Sequence, residues 1–193
     1  MSESDFLDER RRASEDDYFR KKDKELIEKM RAAAAADRSK SELSARTGLS
    51  DPALLAELDA LGFTPETISV LPLVPVVQMA WAEGGITPAE RALLIKLARG
   101  RGIAEGSPAD QQLSDWMAQQ PSADVFARAT RLIRAMLDAG SSDAGTLSAD
   151  DIIKYSENIA AASGGIFGLG IRRISPDERA TLAQIVSALK SKG

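Results

Sequence analysis

The sequence contains neither cysteine nor histidine in its 193 residues. Without cysteine the chain has no disulfide framework, no thiolate nucleophile and no thiolate zinc site. Without histidine it has no imidazole base, which excludes Ser–His and Cys–His catalysis. A bound metal would have oxygen ligands only, which favour calcium or magnesium over zinc. Much common catalytic chemistry is therefore excluded, and the only cofactor that we expect, if any, is a divalent cation.

Aromatic residues are few, and long apolar runs and an excess of basic residues are missing. Aromatics make up 5% of the chain, and no apolar run approaches the length that spans a bilayer. The net charge of -4 is unlike the basic balance of most nucleic-acid-binding proteins. The first five residues are acidic and lack the apolar core of a secretory signal. These features predict a cytoplasmic protein that does not span a membrane or bind nucleic acid.

The sequence does contain regular helix-start signals. A side chain that can cap a helix precedes proline at Asp51-Pro52, Thr64-Pro65, Thr87-Pro88, Ser107-Pro108 and Ser175-Pro176. The capping oxygen accepts an otherwise unpaired backbone N–H, and proline fits the first helical position because no N–H is needed there. Apolar residues make up 44% of the chain, which is enough for a core, and no alternating run predicts a strand. The pattern predicts an all-α fold.

The predicted helices divide the chain into a charged amino-terminal extension, residues 1–40, and a compact helical bundle, residues 41–193. A protruding charged helix is expected at 14–36, with a polar hinge at 38–40. The bundle helices are expected at 42–47, 52–61, 65–83, 88–99, 108–119, 123–139, 148–162 and 176–190. Pro72 and Pro75 predict a break within the third of these, because proline removes a helical hydrogen bond.

An internal repeat predicts two related helix-turn-helix hairpins within the bundle. Residues 79–93 align with 159–165 followed by 174–181, and the second copy carries the insertion 166–173. Each copy reads as a helix, a pair of glycines and a capped helix. The segment 163–173, which includes the insertion, is rich in glycine and can be interpreted as a phosphate loop or as a flexible connection with apolar residues tucked into the bundle. Two hairpins around one core fit the pattern better than a solenoid.

The first copy, AWAEGGITPAER at residues 80–91, resembles the TerB-like family of tellurite-resistance and stress proteins. The resemblance covers roughly 54–189 and implies an all-helical domain with a binding or scaffolding role rather than catalytic turnover, so the chain is expected not to be an enzyme. In that family acidic residues near these turns are associated with divalent metal, which would make Glu83 and Glu90 the candidate ligands here. A second interpretation is that Glu90 and Glu178 are capping-box residues, because each follows a Thr or Ser by three positions.

The charged helix has two adjacent aromatics and a narrow apolar stripe. The apolar residues that fall mostly on one side are Tyr18, Phe19, Leu26, Ile27, Met30 and Ala33. A helix this polar gains little from packing on its own domain, so the stripe suggests a groove on a partner. The alternative is that these side chains dock on the bundle of the same chain.

The same segment resembles the inhibitory helix of the mitochondrial ATP synthase inhibitor family. The matching residues are Glu15, Tyr18, Phe19, Arg20, Glu25, Ile27, Met30 and Arg31. A looser similarity links it to the zeta-type inhibitor of some bacteria. The resemblance implies a non-catalytic regulator that inserts this helix into the catalytic head of an F-type ATP synthase and stops ATP hydrolysis. The competing hypothesis is a TerB-like stress module that binds a divalent metal or a protein.

Overall fold

Every element in the described part of the chain is helical, which confirms the all-α prediction. The computed structural model describes residues 3–140, 148–163 and 174–190, with side chains from residue 18 onward except at position 163. The α-helices are α1 Glu3–Thr47, α2 Pro52–Ala60, α3 Val74–Ala80, α4 Pro88–Gly100, α5 Pro108–Ala118, α6 Ala123–Asp138, α7 Ala149–Ser163 and α8 Pro176–Lys190. A 3-10 helix, Ile68–Leu73, precedes α3.

The chain separates into two units, Met1–Ser41 and Glu42–Gly193. The first unit is the greater part of α1. The second unit begins with the last residues of α1, where Leu43 is buried and Thr47 has no exposed surface. The Thr47 hydroxyl donates to the Leu43 carbonyl at 2.7 Å and accepts from the Leu49 backbone N–H at 3.3 Å. These local bonds satisfy the buried Thr47 hydroxyl at the end of α1, next to the buried Leu43.

The prediction of a hinge at 38–40 and of a separate helix at 42–47 is wrong. Helix α1 runs without interruption from Glu3 to Thr47. Arg and Lys are good helix formers, and the single Ser39 costs little, so residues 38–40 contain nothing that stops a helix. The helix ends at Gly48, whose φ of 69° is a left-handed conformation that glycine adopts without strain.

Most predicted caps of the second unit are present. The Asp51 carboxylate accepts from the Ala53 N–H at 2.9 Å, and the Ser107 hydroxyl accepts from the Asp110 N–H at 3.2 Å. Proline takes the first helical position after each. Because these bonds pair backbone donors that a helix leaves free, they fix where α2 and α5 begin.

The expectation of a capped helix at Thr64-Pro65 is wrong. A turn follows, in which the Thr64 N–H donates to the Thr67 hydroxyl at 2.9 Å, and the 3-10 helix comes next. The expected break is confirmed: Pro72 lies inside the 3-10 helix, and Pro75 lies in the first turn of α3. Each proline removes an N–H that a continuous helix requires, so the segment divides where the prolines fall.

Helix α3 lies in the core of the second unit. Its side chains are nearly all buried, including Val74, Val77 and Met79 at 1% exposure or less. It packs against α7, and it also contacts α4, α6 and α8. A short helix that is apolar at every position except Gln78 has to be largely enclosed by others, which explains this central place.

The two predicted hairpins have matching capped starts. In α4 the Thr87 hydroxyl accepts from the Glu90 N–H at 3.3 Å, while the Glu90 carboxylate accepts from the Thr87 N–H at 2.7 Å. At the start of α8 the Glu178 N–H donates to the Ser175 hydroxyl at 3.2 Å, and the Ser175 N–H donates to the Glu178 carboxylate at 2.6 Å. Both pairs form the reciprocal capping box that the sequence spacing predicts. The glycines and insertion of the second copy lie outside the described residues.

Two tryptophans join one aromatic cluster at the edge of the core. The rings of Phe63 and Trp116 meet edge to face, with centroids 5.8 Å apart and planes at 76°. The Trp81 indole N–H donates to the Trp116 backbone carbonyl at 2.9 Å. Phe63 is 1% exposed, whereas both tryptophans are partly buried against the core. The cluster ties the 63–81 segment to α5 by packing and by one hydrogen bond.

Candidate functional site

The middle of α1 exposes large apolar side chains. The exposed fractions are 58% for Tyr18, 61% for Phe19, 57% for Leu26, 48% for Ile27 and 64% for Met30. Burying one such side chain fully is worth about 1.5–3 kcal/mol. A cluster of exposed apolar groups within 13 residues of one helix is a feature of interaction sites, because scattered single residues are the usual case on a surface.

The apolar residues of α1 do not all share one face. At about 100° of rotation per residue, one line along the helix holds the residues that we call the apolar stripe. The apolar stripe consists of Phe19, Leu26, Met30 and Ala33. Tyr18 and Ile27 lie about a quarter turn from the stripe, on opposite sides of it. The helix therefore presents a narrow stripe with one apolar side chain on each flank.

Tyr18 and Phe19 form a preorganised aromatic pair. Their ring centroids are 5.9 Å apart, and the ring planes meet at 73° in an edge-to-face contact. The Lys22 ammonium lies 5.8 Å from the Tyr18 ring centroid, within the range of a cation–π contact. Adjacent rings held this way lose less conformational freedom on binding than two independent side chains.

The charged residues predicted to bind the partner lie off the stripe. Going around the helix from the stripe, Arg20 and Arg31 come just after Ile27 on one flank, and Glu25 comes just after Tyr18 on the other. All three charged side chains are exposed. Glu25 pairs with Lys22 at 3.6 Å, both side chains being 57% exposed. A surface pair of this kind contributes little stability, so a partner can replace it at small cost. Glu15 belongs to α1, but its side chain lies outside the described part.

The residues matched to the inhibitor family leave out Leu26, although the sequence places it on the apolar stripe. It is more than half exposed and lies on the apolar stripe between Phe19 and Ala33. The signal that identifies it is the spacing of seven, because residues 19, 26 and 33 fall on one side of a helix. The resemblance to the inhibitor family selected residues by motif and so did not use this spacing.

The candidate metal residues Glu83 and Glu90 differ in their surroundings. Glu83 is exposed, whereas Glu90 is 2% exposed. The Glu90 carboxylate accepts from both the Thr87 N–H, at 2.7 Å, and the Thr87 hydroxyl, at 2.8 Å. Burial raises the pKa of Glu90, with the charges of Glu178 and Glu83 adding to the effect, while the bonds from Thr87 oppose it.

No group of three or more acidic side chains able to hold a metal ion occurs among the described residues. The hydrogen bonds of Glu90 explain its burial as the capping residue of α4. The phosphate-loop interpretation of the 163–173 segment falls on side chains outside the described part. The site with the strongest geometric support is therefore the exposed face of α1.

Substitutions at Glu90 distinguish the contribution of its hydrogen bonds to stability from the contribution of its charge. Glu90→Gln keeps an acceptor for the Thr87 N–H and removes the buried charge, so we expect it to stabilise the protein at neutral pH. The native pKa is raised above the unfolded value. The wild type therefore loses stability as the pH rises from the pKa of Glu90 in the unfolded chain through its pKa in the folded protein. Below that pH range Glu90 is protonated in both states, so Glu90→Gln should no longer be more stable than the wild type. Urea unfolding at several pH values measures this.

Two further variants control the Glu90 experiment. Glu90→Ala should lose about 1–3 kcal/mol, because it leaves the Thr87 N–H without its acceptor. Glu83→Gln removes a similar but exposed charge and should leave stability within about 0.5 kcal/mol. A Glu90→Gln protein that is less stable than wild type at neutral pH would show that the carboxylate charge, rather than its acceptor oxygen, holds α4 in place.

The described helices include none that combines the length and the apolar character needed to cross a bilayer. Comparison of the chain with protein-family models, with curated proteins and with solved structures gave no match.

Proposed function

We propose that this protein is a non-catalytic regulator that inhibits ATP hydrolysis by an F-type ATP synthase. It acts by inserting α1 at a catalytic interface of the synthase head. The observation that supports this function is the exposure of Tyr18 and Phe19, at 58% and 61%, on a long continuous helix. The choice of partner follows from the similarity of this segment to the inhibitor family.

The chemistry of α1 suits insertion into a groove between subunits. Rigid aromatics are among the commonest residues that dominate binding energy when a partner encloses them. The stripe adds Leu26 and Met30 on the face that carries Phe19, in the manner of an amphipathic helix in an apolar groove. A helix already formed before contact avoids part of the ordering entropy that a disordered segment loses on binding.

The test is inhibition of ATP hydrolysis by the purified catalytic head of the cognate F-type ATP synthase. We expect the full-length protein to inhibit, and the double variant Tyr18→Ala/Phe19→Ala to need a concentration at least about 30-fold higher, since Phe19 lies on the stripe and one enclosed aromatic is worth about 2 kcal/mol or more. Thermal unfolding of the variant should match the wild type, because both rings are exposed.

The matched control is Lys21→Ala/Glu28→Ala. These two residues lie on the side of α1 opposite the stripe, and the pair removes two long exposed side chains without changing net charge. It should inhibit as strongly as the wild type. The proposal fails if excess wild-type protein leaves hydrolysis unchanged, or if the aromatic variant and the control inhibit equally.

A further inference from the structure

We infer that the surface bound by α1 is an apolar groove with an acidic rim along one side, where Lys22 and Lys29 meet it. The inference rests on the proposed function for the identity of the partner and adds the chemistry of the contact. It comes from the charges on α1 and from their position beside the apolar stripe.

The part of α1 that carries the stripe is basic, although the whole chain is acidic. Residues 18–41 contain eight Lys or Arg and four Asp or Glu, while the chain has a net charge of -4. Residues 1–17 contain seven acidic and three basic residues. Positive charge is therefore concentrated where the apolar side chains are exposed, and such a segment is attracted to a negative surface.

Two lysines define one edge of the stripe, which we call the lysine edge. Lys22 and Lys29 are seven residues apart and lie about 50–70° from the centre of the stripe. Both are exposed, and the pairing of Lys22 with Glu25 at 3.6 Å is open to solvent. A groove that receives Phe19 and Leu26 brings its rim against these two ammonium groups, so carboxylates on that rim would complement them.

A second copy of α1 is a poor occupant of this face. In an antiparallel pair packed through the stripe, the lysine edges of the two copies would meet and repel. In a parallel pair, Asp23 and Asp37, which lie on or close to the stripe, would face their own copies. Neither arrangement supplies the opposite charges that the lysine edge requires.

An anionic lipid surface is also a poor occupant. A helix lying in a bilayer interface keeps basic residues at the flanks and buries its apolar face. Asp23 lies about 50° from the centre of the stripe and Asp37 lies close to the centre line. Burying the stripe in lipid would bring both carboxylates against negative headgroups, which is unfavourable. A groove on a protein can instead place a hydrogen-bond donor or a cationic side chain opposite each of these two carboxylates.

The experiment compares two charge reversals of equal size on the full-length protein. Lys22→Glu/Lys29→Glu alters the lysine edge, and Lys21→Glu/Lys24→Glu alters the opposite side of α1. Association and dissociation rates with the isolated synthase head are measured at about 0.05 M and about 0.5 M salt, since screening is far stronger at the higher concentration. Hydrolysis is followed in the same samples, and circular dichroism checks that both variants keep the same helix content.

We expect the lysine-edge variant to associate at least about tenfold more slowly than the opposite-side variant at low salt, with the gap narrowing at high salt. Equal rates for the two variants overturn the inference, even if both still inhibit. Binding with the expected charge pattern but no inhibition supports the inference and overturns the proposed function. The inference also fails if the head does not bind, if the free protein dimerises through α1, or if it binds phosphatidylglycerol vesicles more tightly than the head.

Discussion

Replacing Phe63 by alanine is expected to lower the free energy of unfolding by about 3–5 kcal/mol, the usual cost of truncating a buried phenylalanine. Phe63 is 1% exposed and follows the turn at Gly62, and its N–H donates to the Leu58 carbonyl at 3.0 Å. Its ring supports Trp116 edge to face, so the loss includes an aromatic contact as well as a cavity. The expected loss is a large share of the stability of an ordinary domain.

The matched control is the same substitution at an exposed position. Phe19→Ala removes an equal side chain that is 61% exposed, so it should change the free energy of unfolding by no more than about 0.5 kcal/mol. Thermal melts should place the Phe63 variant roughly 6–20 °C below the wild type and the Phe19 variant close to it. Similar melting points for the two variants would contradict either the burial of Phe63 or the exposure of Phe19.

The sequence predicted most helix starts in the second unit because their signals are local. A cap needs only a side-chain oxygen and a backbone N–H two or three residues later, as at Asp51, Thr87 and Ser107. Ser122 caps α6 in the same way, accepting from the Val125 N–H at 3.3 Å. No proline follows Ser122, so the motif used to find the others passed over it.

The prediction of a helix starting at Thr64-Pro65 was wrong because capping residues favour a helix only where the following residues can form one. Pro72, eight residues after Thr64, lacks the N–H that a continuing α-helix would need, and Pro75 lacks it as well. A 3-10 helix of six residues accommodates Pro72, and α3 begins afresh at Val74. Predicting the split required counting hydrogen bonds along the whole segment.

The sequence predicted the spacing of the apolar stripe on α1, and it did not predict that the stripe is exposed. The spacing of Phe19, Leu26 and Ala33 indicates one side of a helix, whether that side is buried or open. Exposure depends on what the rest of the chain covers, and the local sequence does not contain that information. The buried Glu90 illustrates the same limit, because its capping-box spacing was evident while its burial and raised pKa were not.

Replacing Ser39 by proline tests whether α1 is continuous where the sequence suggested a hinge. In a helix, proline at this position removes the hydrogen bond to residue 35 and clashes with that carbonyl, at a cost of about 3 kcal/mol or more. At a true hinge the same change is nearly neutral. Because Ser39 lies inside the uninterrupted helix Glu3–Thr47, we expect the large effect.

Trypsin provides the measurement for Ser39→Pro, because Lys40 is a cleavage site beside the substitution. If local unfolding of α1 around Lys40 costs about 3 kcal/mol less in the variant, the unfolded fraction rises by about 100-fold. Cleavage after Lys40 should then be about 100-fold faster, provided that its rate follows this unfolded fraction. Residues 40–47 can still form a helical turn after the proline, so Leu43 stays buried and the melting point of the second unit should hold. Ser39→Ala is the control and should remain as resistant as the wild type. Rapid cleavage of the wild type itself would mean that the chain bends here in solution, and it would contradict an uninterrupted α1.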